Sequence, residues 1–110
     1  MKKQLQSDSG NVFYKVDGSG PAIVFLHGFM EDHSIWDEFV EQIAEKYRCI
    51  CIDLPGFGKS GVFREIHTMD FMAGKVWEVL KKEHVSKCIL IGHSMGGYVS
   101  LAFAKLFSEK

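Results

Sequence analysis

Gly92-His93-Ser94-Met95-Gly96 constrains this chain more than any other stretch. It lies between two apolar runs of different length. Residues 88–91 make a strand; residues 98–107 are too long for a typical strand and read as a helix. A chain that passes from strand to helix so quickly must turn sharply, and the pattern is G-x-S-x-G, a nucleophile elbow. A serine on such a turn has its hydroxyl held above the sheet. A Cβ at Gly92 or Gly96 would collide with the neighbouring strand or helix, and His93 and Gly97 complete the turn in supporting roles. Ser94 stands at a helix N-terminus, where unpaired N–H groups and the helix dipole favour negative charge. That suits a nucleophile whose reaction generates an oxyanion.

The rest of the chain supplies the sheet this turn needs. Residues 5–7 and 12–16 alternate around Asp8-Ser9-Gly10-Asn11 and read as a hairpin. After the turn cluster at 17–20, residues 22–26 are continuously apolar, as in a strand buried on both faces. Apolar positions from Ile35 to Tyr47 recur at helical spacing, with Asp32 or Ser34 as the cap. Residues 48–52 form another buried strand, and 53–61 a Gly-rich loop; 62–67 carry no clear pattern. Thr68 caps a helix through about Lys82, weakened at Gly74 by roughly 1 kcal/mol relative to Ala. The order β-β-β-α-β-α-β-α predicts an α/β fold: an antiparallel opening hairpin, then a mostly parallel sheet with helices on both faces. The 110 residues make one domain.

Composition excludes several function classes. The net charge is -1 and no run of Lys or Arg exceeds two, so nucleic acid and anionic membranes have no electrostatic attraction to this chain. The polar residues 4–11 follow Met1-Lys2-Lys3 where a signal peptide would place its apolar region, and residues 22–26 are too few to span a bilayer. Cys49, Cys51 and Cys88 lie in strand-like runs with no zinc or redox spacing. Reduced core thiols, a cytoplasmic location and no metal or cofactor are expected.

Two loops compete for a role. Gly58-Lys59-Ser60 imitates the tail of a phosphate-binding loop, but Asp53 occupies the position of its first glycine, and a carboxylate opposes phosphate binding. The fingerprint Gly56-x-Gly58-x-x-Gly61 opens no obvious helix, so a tight turn with Asp53 bonding nearby N–H groups is the better reading. His27-Gly28 closes the strand 22–26. In an elbow enzyme one oxyanion donor is the N–H after the nucleophile, here Met95. The other comes from the loop after the third strand, here Phe29. Met30 and Trp36 are candidates for an apolar pocket near the serine, and His33 and His67 for lining it.

Phe25-Leu26-His27-Gly28-Phe29, Trp36, Asp53-Leu54-Pro55-Gly56-Phe57-Gly58-Lys59-Ser60 and Gly92-His93-Ser94-Met95-Gly96-Gly97 together resemble the α/β-hydrolase superfamily, nearest its small Ser-dependent esterase-like members. The resemblance implies Ser94 as nucleophile, Phe29 and Met95 as backbone oxyanion donors, and a small-molecule acyl substrate such as an ester or thioester. Epoxide hydrolases and haloalkane dehalogenases of this fold place Asp at the elbow, and Ser94 argues against both.

The triad of this fold runs Ser, then Asp or Glu, then His along the chain. Residues 95–110 contain no Asp and no His, and Glu109 is their one acid. The resemblance therefore implies the N-terminal half of a hydrolase domain, one incomplete domain over 1–110, inactive by itself. Its elbow strand would have a bare apolar edge open to self-association. A non-catalytic binding or interaction module on the same fold is the alternative reading, and a nucleotide-binding α/β protein a remote one.

Overall fold

The computed structural model describes residues 2–7, 10–58, 60 and 68–107. The turn residues Asp8 and Ser9, Lys59, Gly61 and the unpatterned stretch through His67 lie outside them. The strands are β1 (Lys2–Ser7), β2 (Gly10–Asp17), β3 (Ala22–Leu26), β4 (Arg48–Ile52) and β5 (Cys88–Gly92). They form one sheet in the order β1-β2-β4-β3-β5. The pairings β1–β2 and β2–β4 are antiparallel; β3 pairs in parallel with both β4 and β5. The expected opening hairpin and mostly parallel sheet are thus both present, with Ser7 paired to Gly10.

The alternation of side chains explains why β3 and β4 are apolar throughout. Val24, Leu26, Ile50 and Ile52 join a cluster with Val76, Val79, Leu80 and Val99. Ile23, Phe25, Cys49 and Cys51 join a second cluster with Val40, Trp36 and Ile43. Helices therefore cover both faces. Each fully buried Leu, Ile or Phe contributes roughly 1.5–3 kcal/mol, which makes these two strands the centre of the fold.

On the first face α2 (Met69–Lys82) begins as expected, with Thr68 Oγ1 accepting the Phe71 N–H at 3.0 Å. It buries Met72, Ala73, Val76, Val79 and Leu80. It ends where His84 turns left-handed (φ 59°) and the Val85 N–H returns to the Leu80 carbonyl. Beside that end, buried Glu83 accepts the Tyr14 hydroxyl at 2.5 Å and the Lys3 ammonium at 3.0 Å, and pairs with Arg48. Burial opposes ionisation of Glu83, but these donors outweigh it and hold the carboxyl below its ordinary range. The cluster ties β1, β2 and β4 to α2.

On the second face the apolar spacing from Ile35 to Tyr47 predicts one helix, and the structure divides it. A 3-10 turn, His33–Trp36, precedes α1 (Asp37–Ile43). The cause lies at both ends. Asp32 accepts the Ser34 N–H at 2.8 Å, and His33 is bonded to Asp53, so the first turn is tightened. Beyond Ile43 the loop after β2 crosses the helix end so closely that a Cβ on Gly18 would stand 2.1 Å from the Ala44 carbonyl oxygen. Gly18 is left-handed there (φ 81°), which a glycine adopts without penalty. Trp36, Val40, Ile43, Ala44 and Tyr47 face the sheet, whereas Ile35 and Phe39 are exposed.

Candidate active site

The elbow is built by crowding. β5 ends at Gly92 and α3 (Met95–Phe107) starts within two residues. A Cβ on Gly92 would stand 2.3 Å from the Gly96 carbonyl oxygen, and one on Gly96 would stand 2.2 Å from that of Leu26. Both distances are shorter than any real Cβ contact, and both neighbours are backbone. Gly97 differs: the nearest atom to its Cβ would be the Gly92 oxygen, at an ordinary 3.8 Å. Between them Ser94 takes a left-handed φ of 53°, a conformation non-glycine residues rarely hold. The His93 N–H bonds the Leu26 carbonyl at 2.9 Å and fixes the turn to the end of β3. Ser94 is exposed.

Facing it is the loop after β3. His27 is fully buried. Its Nε2 accepts the Leu54 N–H at 2.9 Å, so its proton is on Nδ1, which donates to the Gly28 carbonyl at 2.7 Å. The Glu31 N–H closes a turn onto the Gly28 oxygen at 3.2 Å. Phe29 and Met30 are the corners of that turn, and Met30 is left-handed (φ 62°). The N–H groups of Phe29 and Met30 take no part in the closure. Met95 is the first residue of α3, where a backbone N–H has no acceptor within the helix. Phe29 is exposed and meets Phe57 edge-on at 5.5 Å, and Phe57 in turn meets His27.

The structure brings Gly28 and His93 together directly, through a residue with no obvious sequence signal. Glu31 Oε1 accepts the Gly28 N–H at 2.6 Å and lies 2.9 Å from His93 Nδ1. Its partner in the elbow is sixty-two positions away in sequence. Trp36 instead packs on Phe25 with ring centroids 5.1 Å apart, in the cluster under α1. Met30 projects from the loop corner, 78% exposed.

Asp53 closes the Gly-rich loop as a structural carboxylate. It is fully buried, and its Oδ1 accepts the His33 N–H at 2.7 Å and lies 2.7 Å from His33 Nδ1. A Cβ on Gly58 would stand 2.4 Å from Asp53 Oδ2. Asp32, His33 and Asp53 offer donor atoms within 4.8 Å of one another, close enough for a cation. Within this group Asp53 Oδ1 is bonded to His33, and Asp32 Oδ1 to Ser34. His27, His33 and His93 bond to Gly28 and Leu54, to Asp53 and to Glu31, and none of these bonds involves Ser94.

The thiols are poor nucleophiles. Burial raises Cys49 and Cys88 and pushes Cys51 up to about 12. A groove of about 580 Å³ runs between α2, β5 and α3 beside Trp77, Val85, Cys88, Leu90, Phe103 and Phe107. It flanks the start of β5 and includes no elbow residue. Among the described residues, no helix is long and apolar enough to cross a membrane.

A serine set between crowded glycines at the end of a parallel strand, on a sheet covered by helices on both faces, defines the α/β-hydrolase class. The family model for the alpha/beta hydrolase fold matches residues 21–110, and the chain belongs to that family. Over 94 residues it is 34% identical to the pimeloyl-acyl-carrier-protein methyl ester esterase of Aeromonas hydrophila, matching 84% of this chain and 35% of that protein. It is 31% identical over 107 residues to epoxide hydrolase 4 of Mus musculus, matching 93% of this chain and 30% of the relative. The structure of a thermophilic esterase from Thermogutta terrifontis superposes with a TM-score of 0.88 at 29% identity, over 97% of this chain and 41% of that one. The chain thus spans about a third of the length of the curated relatives it matches.

Proposed function

We propose that these residues are the nucleophile half of a serine hydrolase acting on an ester, thioester or similar acyl substrate. The observation that carries this reading is Ser94 itself, left-handed at φ 53° between two glycines that admit no side chain. Among relatives named for epoxide and for ester hydrolysis, the serine favours the esters, because epoxide hydrolases of this fold use Asp at the elbow. Ser94 Oγ attacks the carbonyl carbon, and the C=O electron pair moves onto oxygen. The Phe29 and Met95 amides hold that oxyanion. The hydroxyl proton passes to a histidine base and on to the alcohol or thiol, which leaves as the tetrahedral centre collapses to an acyl-serine; water then cleaves that ester to release the acid and restore the Ser94 hydroxyl. Residues 95–110 contain neither an Asp nor a His, so the 110-residue chain has the nucleophile and oxyanion donors without the base. No cofactor enters this chemistry. A cytoplasmic location, no nucleic-acid or membrane partner, and a single incomplete domain belong to the same proposal.

A fluorophosphonate probe with intact-mass and peptide-level readout tests it. The expected result is slow modification, far below the rate of a complete hydrolase, confined to Ser94 and lost in Ser94→Ala. Modification spread over several serines would contradict the nucleophile. Labelling of Ser94 at the rate of a complete hydrolase would contradict the missing base.

A further inference from the structure

The Glu31 side chain is the one group bonded both to the loop that carries Phe29 and to the turn that carries Ser94 and Met95, among the described residues. Its Oε1 accepts the Gly28 N–H at 2.6 Å, while its own N–H bonds the Gly28 carbonyl at 3.2 Å. The turn around Phe29 and Met30 is therefore closed twice, once through backbone and once through the carboxylate. The same Oε1 lies 2.9 Å from His93 Nδ1. A carboxylate only accepts, so Nδ1 carries the proton and donates. A Cβ placed on Gly28 would meet both partners, Glu31 Oε1 at 2.6 Å and His93 Nδ1 at 3.0 Å. The three groups thus meet at the surface, where the His93 side chain is 59% exposed and that of Glu31 30%.

The geometry points to Glu31 as a positioning residue for the oxyanion site: its carboxylate latches the loop bearing the Phe29 amide to the turn bearing the Met95 amide. This rests on the serine-hydrolase reading for its purpose, though not for its geometry. Two backbone donors stabilise an oxyanion only while both point at one position, and a small misplacement forfeits much of their effect. Met30 gives the loop a reason to need a latch, since its left-handed backbone is strained for a non-glycine residue. Bonds to His93 and Gly28, in that order, hold the Glu31 carboxyl below its ordinary range. Of the other titratable groups nearby, His27 faces it from the end of β3. Asp32 and His33 follow it in the same loop, engaged with Ser34 and Asp53.

Amide-resolved NMR of the full 110-residue chain between pH 7 and pH 3 tests the latch without any reaction at Ser94. The Gly28, Phe29 and Met95 amide resonances are expected to titrate with one common midpoint, below the ordinary glutamate range. Glu31→Gln abolishes that shared titration and leaves the Val24 and Ile50 amides in place. His93→Ala raises the Gly28 midpoint and uncouples Met95 from it. A Met95 resonance that does not follow Gly28, or a shared titration that survives in Glu31→Gln, overturns the proposal. A chain that shows the shared titration but no selective labelling at Ser94 keeps the latch and loses the nucleophile; the opposite pair of results loses only the latch.

Discussion

At the scale of single residues, strain and crowding are concentrated where the two loops meet. Ser94 and Met30 both hold left-handed backbone, a conformation that costs on the order of 1 kcal/mol or more for each non-glycine residue. The neighbouring glycines show which contacts enforce it. Gly92→Ala and Gly96→Ala drive a methyl into backbone that cannot yield, so each is expected to lose about 3 kcal/mol of stability. Gly97→Ala meets only the Gly92 carbonyl oxygen at an ordinary distance and is expected to be neutral or stabilising by up to about 1 kcal/mol. Urea unfolding of the three variants separates them. Gly92 and Gly96 were legible in the sequence because a strand-to-helix turn this tight demands glycine at both sides of the serine. Gly97 belongs to the same run of small residues without the same demand. Glu31 was illegible, because its bond to His93 joins two loops remote in sequence, and only the β3–β5 pairing brings them together.

At the scale of elements, local signals succeeded wherever a helix or strand is determined by its own residues. Thr68 caps α2, and β3 and β4 alternate between two cores. The signals failed for the segment from Ile35 to Tyr47. Its periodicity is helical, but its length is limited by Asp53 holding His33 at one end and by the Gly18 loop at the other. Neither partner is visible in the periodicity; Ile35 is left exposed, and Phe39, half exposed, still meets Phe25 edge-on at 5.9 Å. Gly74 lies within α2. A Cβ there would meet nothing within 4 Å. Gly74→Ala should therefore return the helix propensity that glycine forfeits, raising stability by roughly 0.8–1 kcal/mol in a thermal or urea melt, without altering the elbow.

At the scale of the whole molecule, β1 and β5 are the outer strands of the sheet, and β5 is the apolar one. Among the described residues β5 pairs only with β3, and Ile89 on it is 56% exposed. Tyr98, Leu101 and Leu106 are exposed on α3 beside it. An apolar edge strand offers unpaired N–H and C=O groups to another strand, and a second copy of the chain carries the same edge. Sedimentation velocity should show association that grows with concentration and is reduced by Ile89→Lys, whose charge makes edge pairing unfavourable. A concentration-independent monomer would show that this edge does not pair.

On this proposal elbow and facing loop form one oxyanion site above Ser94. A crystal structure of the fluorophosphonate-modified chain tests it most directly, because the phosphonyl oxygen stands where the carbonyl oxyanion would. That oxygen is expected at about 2.7–3.1 Å from both the Phe29 and the Met95 backbone nitrogens. A phosphonyl oxygen turned to solvent, or bonded to Met95 alone with Phe29 facing away, would contradict it.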